Sequence, residues 1–199
     1  EKLQRIFDMG NDIENRWIER FRRMGILLQT QMPIKRPNSP VISGRADALV
    51  RHPTDKPDRL YVVEIKSINS NGFRQLPPVT GDPEENFQAL TTLKGSVAER
   101  IRKYILQLET YLVEGKVSDG ILLFDNKDTQ DYADYWVILN PAYIEGEYER
   151  LNRLDGFISK RVVPPCTCVK SQKDLLCIHR AAEEIELEEL KRVSEHGAG

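Results

Sequence analysis

Two carboxylates and one ammonium group lie on neighbouring stretches of extended sequence. Asp47 falls in the first stretch, and Glu64 and Lys66 fall in the second, YVVEIKS. Both stretches are rich in β-branched and apolar residues, and the polar segment between them contains two prolines, so we expect two strands joined as a hairpin. If the strands pair in register, the three charged side chains converge.

Side-chain alternation predicts which of these residues share a face. Glu64 and Lys66 are two positions apart, so they lie on the same face of their strand. By the same rule, Asp47 is expected on the face opposite Ala46 and Ala48. One explanation of such a charged face is exposure to water, since antiparallel sheets often leave one face solvated.

A second explanation is a bound cation. Leu49 and Val62 share the faces of the charged residues, so these faces are not plainly solvated. Buried charge needs a partner. A divalent ion between Asp47 and Glu64, with Lys66 alongside, would provide one, and hard oxygen ligands suit Mg²⁺ or Mn²⁺.

The segment 2–24 repeats apolar residues at three- and four-residue steps, which predicts an amphipathic helix. Glu14 falls on its apolar stripe, one turn from Gly10 and from Ile18. Glu14 is therefore either a boundary residue paired with an arginine or a further carboxylate directed toward the charged strands.

A second helical segment, 83–114, is predicted with a break at Gly95. Its core stripe comprises Ile101, Ile105, Leu108 and Leu112. A different face carries Tyr104, Gln107 and Tyr111, of which Gln107 and Tyr111 are one turn apart on the same side.

Four further side chains are candidate substrate contacts. Phe73 and Arg74 lie in the loop after YVVEIKS, while Arg102 and Lys103 lie on the second helix. Cations there could meet phosphates. The alternatives are a loop anchor for Phe73, a solvated charge for Arg74 and an ordinary solvated helix face for the other two.

These landmarks resemble a known family. Asp47, a 16-residue gap and then Glu64-Ile65-Lys66 is similar to the D…(D/E)-x-K signature of the PD-(D/E)xK nucleases. Gly10 and Glu14 look like the first-helix G-x-x-x-H segment of the RecB-like and CRISPR-adaptation nucleases, with Glu in place of His, as in related phage exonucleases. Gln107-x-x-x-Tyr111 resembles their Q-x-x-x-Y motif, in the same chain order.

The resemblance implies a metal-dependent nuclease that hydrolyses phosphodiester bonds of DNA. An exonuclease acting on single strands or free ends is favoured, and a structure-specific or restriction-type endonuclease or a non-catalytic nucleic-acid-binding subunit are alternatives. Lys66 would position the attacking water, and Gln107 and Tyr111 would orient the substrate or Lys66. The metal ligands would be Glu14, Asp47, Glu64 and the Ile65 carbonyl.

All cysteines of the chain cluster near its end: Cys166, Cys168 and Cys177, with His179 two residues beyond. Three thiols and one imidazole can hold a tetrahedral Zn²⁺. Buried cysteines that act as small apolar residues are one alternative. A [4Fe–4S] cluster completed by a residue upstream of Glu1 is another, and it is what the nuclease resemblance implies.

Length and composition predict the organisation of the chain. With 199 residues and 40% hydrophobic content, it can bury one substantial core. We expect a nuclease core at 1–162 with a restriction-endonuclease-like α/β fold, a mixed sheet flanked by helices, and a small C-terminal metal-binding appendage at 163–199.

The net charge of −2 means that nucleic-acid binding must depend on a local patch. The sequence contains no apolar run long enough to span a bilayer and no secretion signal, which favours an intracellular protein with no membrane partner. The resemblance favours a prokaryotic or phage origin. The oligomeric state stays open.

Overall fold

The structure is a computed structural model that describes residues 2–37, 39, 42–52 and 59–162, with the backbone alone for residues 2–7. Its elements, in chain order, are α1 Lys2–Arg23, β1 Leu27–Lys35, β2 Ser43–Arg51, β3 Leu60–Ile68, α2 Ser70–Phe73, α3 Pro83–Thr91, α4 Ala98–Gly115, β4 Asp119–Asn126, β5 Tyr132–Ile138 and α5 Pro141–Lys160.

The chain divides into two compact units, residues 1–149 and 150–199. The first contains all the described strands and helices α1–α4. Of the second, residues 150–162 are described, and they are helical as far as Lys160. None of the helices in the described part of the chain is long and apolar enough to cross a membrane.

The strands form one five-stranded sheet in the order β1-β2-β3-β4-β5. The first three strands pair antiparallel, β3 and β4 run parallel, and β5 returns antiparallel to β4. A parallel pair requires a crossover, and α2, α3 and α4 lie in that connection. The predicted mixed sheet flanked by helices is confirmed.

Helix α1 covers one face of the sheet. Its apolar residues recur at helical spacing and are buried together with Val63 and Ile65 of β3. Burial of this stripe stabilises the helix more than its intrinsic propensity does. The buried residues that α1 contributes are Ile13, Trp17, Ile18 and Phe21.

Helices α3 and α4 cover the opposite face. The predicted break between them is confirmed, because α3 ends at Thr91, α4 begins at Ala98, and Gly95 between them has a φ of 103° that favours glycine. The predicted core stripe of α4 is fully buried, and its members are Ile101, Ile105, Leu108 and Leu112.

One stretch predicted as a loop is partly helical. After β3, the short helix α2 is capped by Asn69, whose side chain accepts the Gly72 N–H at 2.8 Å. The proline-containing connection between β2 and β3 lies mostly outside the described residues. Cys166, Cys168, Cys177 and His179 lie outside them entirely, so the appendage and its boundary at 163 stay predictions.

Candidate active site

The alternation of side chains along β2 is interrupted at Asp47. Ala46 packs in the core under α4, whereas Ala48 packs in the core under α1. Residues two apart on a regular strand share a face. The prediction that Ala46 and Ala48 lie together, opposite Asp47, is therefore wrong. On β1, Gln31 lies between the residues that pair with Ala48 and Ala46, and its φ of 47° marks the same irregularity.

This irregularity directs Asp47 toward β3. The antiparallel pairing of β2 and β3 extends only as far as Ala48 and Val63. Beyond that pair, Asp47 Oδ2 accepts the backbone N–H of Ile65 at 2.7 Å. Burial raises the pKa of Asp47 to about 6; the Ile65 N–H opposes this shift, and the negative charge of Glu14 adds to it.

Glu64 is a buried carboxylate, only 2% exposed. Its Oε1 accepts hydrogen bonds from Lys66 Nζ at 2.5 Å and from Gln107 Nε2 at 2.8 Å. Its Oε2 is buried and has no hydrogen-bond partner among the residues that the structure describes. Burial, and then the charge of Asp47, raises the pKa of Glu64 to about 7 although Lys66 opposes this shift. The negative charge of Asp47 therefore makes ionisation of Glu64 more costly.

Lys66 lies beside both carboxylates, and its side chain is 18% exposed. Burial alone would lower the pKa of Lys66, but the Glu64 carboxylate outweighs burial and the net shift is upward. The ammonium group therefore stays charged at neutral pH. It also lies 4.8 Å from the centroid of the Tyr104 ring on α4.

Helix α4 connects two further polar side chains to this cluster. Gln107 Nε2 donates to the Tyr111 hydroxyl at 2.9 Å as well as to Glu64, so the amide bridges the two side chains. Burial raises the pKa of Tyr111, which keeps its hydroxyl protonated at neutral pH. A Cβ on Gly44 of β2 would lie 2.9 Å from that hydroxyl, so the close approach of Tyr111 requires a residue without a side chain.

Glu14 on α1 is half-buried and accepts a hydrogen bond from Gln31 Nε2, so its partner is an amide rather than an arginine. Its charge raises the pKa of both Asp47 and Glu64, which shows that the three carboxylates interact. The α1 backbone nearby is fixed because Arg16 and Trp17 both donate to the buried Asp125 Oδ2 of β4, at 2.6 and 2.8 Å.

The donor set fits a divalent cation bound by Asp47 and Glu64. Carboxylate oxygens suit Mg²⁺ or Mn²⁺, Glu64 Oε2 needs a partner, and a cation would offset the burial and the repulsion that raise both pKa values. Within residues 2–162, in so far as they are described, no group of three or more His, Cys, Asp or Glu side chains could hold a metal ion. Ligation by Glu14 and by the Ile65 carbonyl stays a prediction.

The four candidate substrate contacts have partners or surroundings of their own. Phe73 packs partly buried against the core under α4, as a loop anchor does. Arg74 is exposed. Arg102 donates to the Leu93 carbonyl at 3.2 Å, and Lys103 pairs with an exposed glutamate one turn away. None of these four side chains is hydrogen-bonded or ion-paired to Asp47, Glu64 or Lys66.

Three features of the site were not predicted from the sequence: the role of Gly44, the role of Gln31 and the contact between Tyr104 and Lys66. The spacing of Tyr104, Gln107 and Tyr111 on one face of α4 was a usable signal for the third. The role of Gly44 depends on a contact between elements distant in sequence, and the left-handed backbone of Gln31 has no local signature.

Comparisons with known proteins find solved structures that are similar only at low sequence identity, and two of them are described here. No family model and no curated protein matches the chain. An alkaline exonuclease from Laribacter hongkongensis is 13% identical with a TM-score of 0.44, over 78% of this chain and 71% of that one. The protein SSO0001 is 20% identical with a TM-score of 0.38, over 73% of this chain and 58% of its own. Likenesses this distant carry no functional argument, which depends on the site itself.

Proposed function

We propose that this chain is a metal-dependent nuclease that hydrolyses phosphodiester bonds of DNA. The observation that carries the proposal is the meeting of Asp47, Glu64 and Lys66 at one point, with an oxygen of Glu64 buried and unpartnered. Glu109 and Asp125 also have a buried oxygen without a partner among the described residues, so the proposal depends on the combination of two carboxylates with Lys66 rather than on the unpartnered oxygen alone.

Asp47 and Glu64 would hold Mg²⁺ or Mn²⁺, with Glu14 and the Ile65 carbonyl as further candidate ligands. Such an ion, when bound, polarises the phosphate and lowers the pKa of the attacking water. Because both carboxylates have raised pKa values, they must release protons before binding, so metal affinity should increase as the pH rises through about 6 to 7.

Lys66 supplies positive charge at the reacting centre. Its ammonium keeps its proton at neutral pH, so it is suited to holding the attacking water and to offsetting the charge that develops on the phosphorane. Gln107 fixes the Glu64 carboxylate through Oε1, and Tyr111 fixes Gln107 in turn. These two residues would therefore position the carboxylate as well as the substrate backbone.

DNA is the proposed substrate, with single strands or free ends favoured. The net charge of −2 does not attract a polyanion, so phosphate contacts would have to come from local cations. Arg74, exposed and without an ion pair among the described residues, suits this role better than Arg102 or Lys103, which have intramolecular partners.

The test is a cleavage assay on end-labelled linear DNA and on closed circular DNA, with Mn²⁺ and with EDTA. Glu64→Gln is the inactive comparison, and Glu19→Gln is the matched control, because Glu19 is a partly exposed residue of α1 whose partners are Arg22 and Arg23. Mn²⁺-dependent loss of linear DNA alone indicates an exonuclease, and cutting of the circle indicates an endonuclease. DNA binding without cleavage under every condition would leave the non-catalytic subunit as the better explanation.

The C-terminal residues Cys166, Cys168, Cys177 and His179 are proposed to bind a separate structural metal. A closed set of thiolate and imidazole ligands selects zinc and leaves no open position for substrate. A [4Fe–4S] cluster is the alternative.

A further inference from the structure

The Lys66 side chain needs to be held in place, and Glu64 cannot do this alone. Glu64 Oε1 already accepts from both Lys66 and Gln107. In the proposed nuclease, the same carboxylate also binds a cation, which weakens its attraction for the ammonium. A lysine has a flexible four-carbon stem, so without a second contact its ammonium would sample several positions.

The second contact in the structure is an aromatic ring. Lys66 Nζ lies 4.8 Å from the centroid of Tyr104. This distance is within the range at which the electron-rich face of an aromatic ring attracts a cation. The attraction does not depend on the charge of Glu64, so it persists when that carboxylate is protonated or bound to a metal ion.

The ring itself packs, partly buried, against the core under α4. Tyr104 lies on the same face of α4 as Gln107, three residues earlier, so one helix face contacts both members of the Glu64–Lys66 ion pair. The Tyr104 ring also packs at 6.3 Å, tilted, on Phe124, which is fully buried and is the register partner of Lys66 on β4. Phe124 packs edge-on against the buried Tyr135 at 5.9 Å.

We propose that Tyr104 is a positioning residue that holds the Lys66 ammonium over its ring and keeps it at the reacting centre when Glu64 binds the metal. The effect on catalysis rests on the proposed nuclease function, whereas the contact itself does not. The ring face, rather than the hydroxyl, does this, so phenylalanine can replace tyrosine but an aliphatic side chain cannot.

The first experiment compares cleavage rates in the full chain. With saturating DNA and Mn²⁺, Tyr104→Leu should lower the single-turnover rate about tenfold while DNA affinity changes less than about twofold. Tyr104→Phe should stay within about twofold of the parental rate. Tyr143→Leu, which removes a partly buried ring that packs on Phe87, is the matched control and should also keep the rate.

The second experiment detects the contact without cleavage. Reductive ¹³C-methylation keeps the lysine charge, and the Lys66 methyl signal is identified by its absence in Lys66→Arg. A methylammonium over a ring face has an upfield-shifted signal. That shift should persist in Tyr104→Phe and disappear in Tyr104→Leu, and Tyr104→Met serves if the leucine variant does not fold.

Three outcomes would overturn the proposal: equal rate losses in the phenylalanine and leucine variants, an equal loss in Tyr143→Leu, or a Lys66 methyl signal that is the same in parental and leucine proteins. A parental chain that cleaves no DNA would refute the nuclease function, and the methyl signal would then decide the Tyr104 contact by itself.

Discussion

Asp47 accepts the backbone N–H of Ile65 at 2.7 Å, just beyond the point where the pairing of their two strands ends. The carboxylate thereby satisfies a donor that the sheet leaves unpaired. It is also the neighbour whose charge makes ionisation of Glu64 more costly. Asp47 therefore has a structural role, as the acceptor of the Ile65 N–H, and an electrostatic role, through its effect on the pKa of Glu64.

Two substitutions of Asp47 should separate these requirements. Asparagine keeps an oxygen that can accept the Ile65 N–H but loses the charge, so Asp47→Asn should fold normally and cleave DNA at least about a thousandfold more slowly. Asp47→Ala also leaves the N–H without a partner, which should lower the free energy of unfolding by about 1 to 3 kcal/mol. Urea unfolding and a cleavage assay measure the two effects, with Asp12→Asn on the exposed side of α1 as control. Equal stability of the alanine and asparagine variants would contradict the structural role.

Glu64→Gln should be inactive and yet more stable at alkaline pH. Because the folded-state pKa is raised from 4.5 to about 7, the folded protein retains a proton that the unfolded chain releases in this range. The free energy of unfolding, measured without metal, therefore falls as the pH rises through this window. At pH 8 the glutamine variant should be more stable than the parental chain by about 1 to 3 kcal/mol, and at pH 4 the difference should vanish. A variant that is less stable at pH 8 would refute this account.

Glu14→Gln should weaken metal binding without affecting the fold. Glutamine can still accept from Gln31, but one negative charge near Asp47 and Glu64 is lost. The half-saturating Mn²⁺ concentration should rise by about fivefold, the size expected for a partly screened charge. Calorimetric titration measures it, and Glu19→Gln on the same helix serves as control. An unchanged titration would mean that Glu14 is a boundary residue only.

Substitution of Glu109 should change the pH dependence of stability, as substitution of Glu64 does, but it should not affect DNA cleavage. Glu109 is fully buried on α4, where Oε2 accepts the Asn140 N–H at 2.8 Å and Oε1 has no partner in the described part of the chain. Burial raises its pKa from 4.5 to about 7, so it too costs stability as the pH rises toward 7. Glu109→Gln should be more stable at pH 8 by about 1 to 3 kcal/mol and should cleave DNA at the parental rate. Loss of cleavage would place Glu109 in the catalytic machinery instead.

The predicted C-terminal metal site is tested by measuring the metal content of the purified protein and by one substitution. Protein purified without oxygen should contain about one zinc per chain, or iron and sulfide with a brown colour if a cluster is bound. Cys177→Ser should lose that metal and lower the melting temperature while Mn²⁺ still binds at Glu64. Metal-free protein with freely titratable thiols and an unchanged melting temperature in the variant would refute it.

Most of the fold follows from local patterns in the sequence. The stripe from Ile101 to Leu112 repeats at helical spacing, and the nearly continuous apolar runs of β3 and β4 favour buried strands. The motif Glu64-x-Lys66 places both side chains on one face by alternation alone. Helical spacing sets Gln107 beside Tyr111, but only the resemblance of Q-x-x-x-Y to a nuclease motif assigned the pair to the site of Glu64.

What the sequence could not predict depends on contacts between distant elements. Ala46 and Ala48 lie on opposite faces of the sheet because the alternation of β2 is interrupted at Asp47, beside Gln31 of β1 with its positive φ. The sequence of β2 itself contains no pattern that predicts this interruption. The burial of Glu109 is similar, since an acidic residue on an amphipathic helix is ordinarily exposed. Arg102 looked available for phosphates because its partner, the Leu93 carbonyl, lies outside α4. The partner of Lys103 is a local i,i+4 glutamate, so that pair could have been read from the sequence.

The close contact between Gly44 and Tyr111 limits which residues can occupy these two positions. Gly44 touches no charged group of the site, yet a side chain there would displace the Tyr111 hydroxyl, which supports Gln107 and through it Glu64. Among natural variants, a larger residue at position 44 should therefore appear together with a smaller one at position 111. In a random mutagenesis screen, Gly44 would appear among the loss-of-function positions, although it has no chemistry of its own.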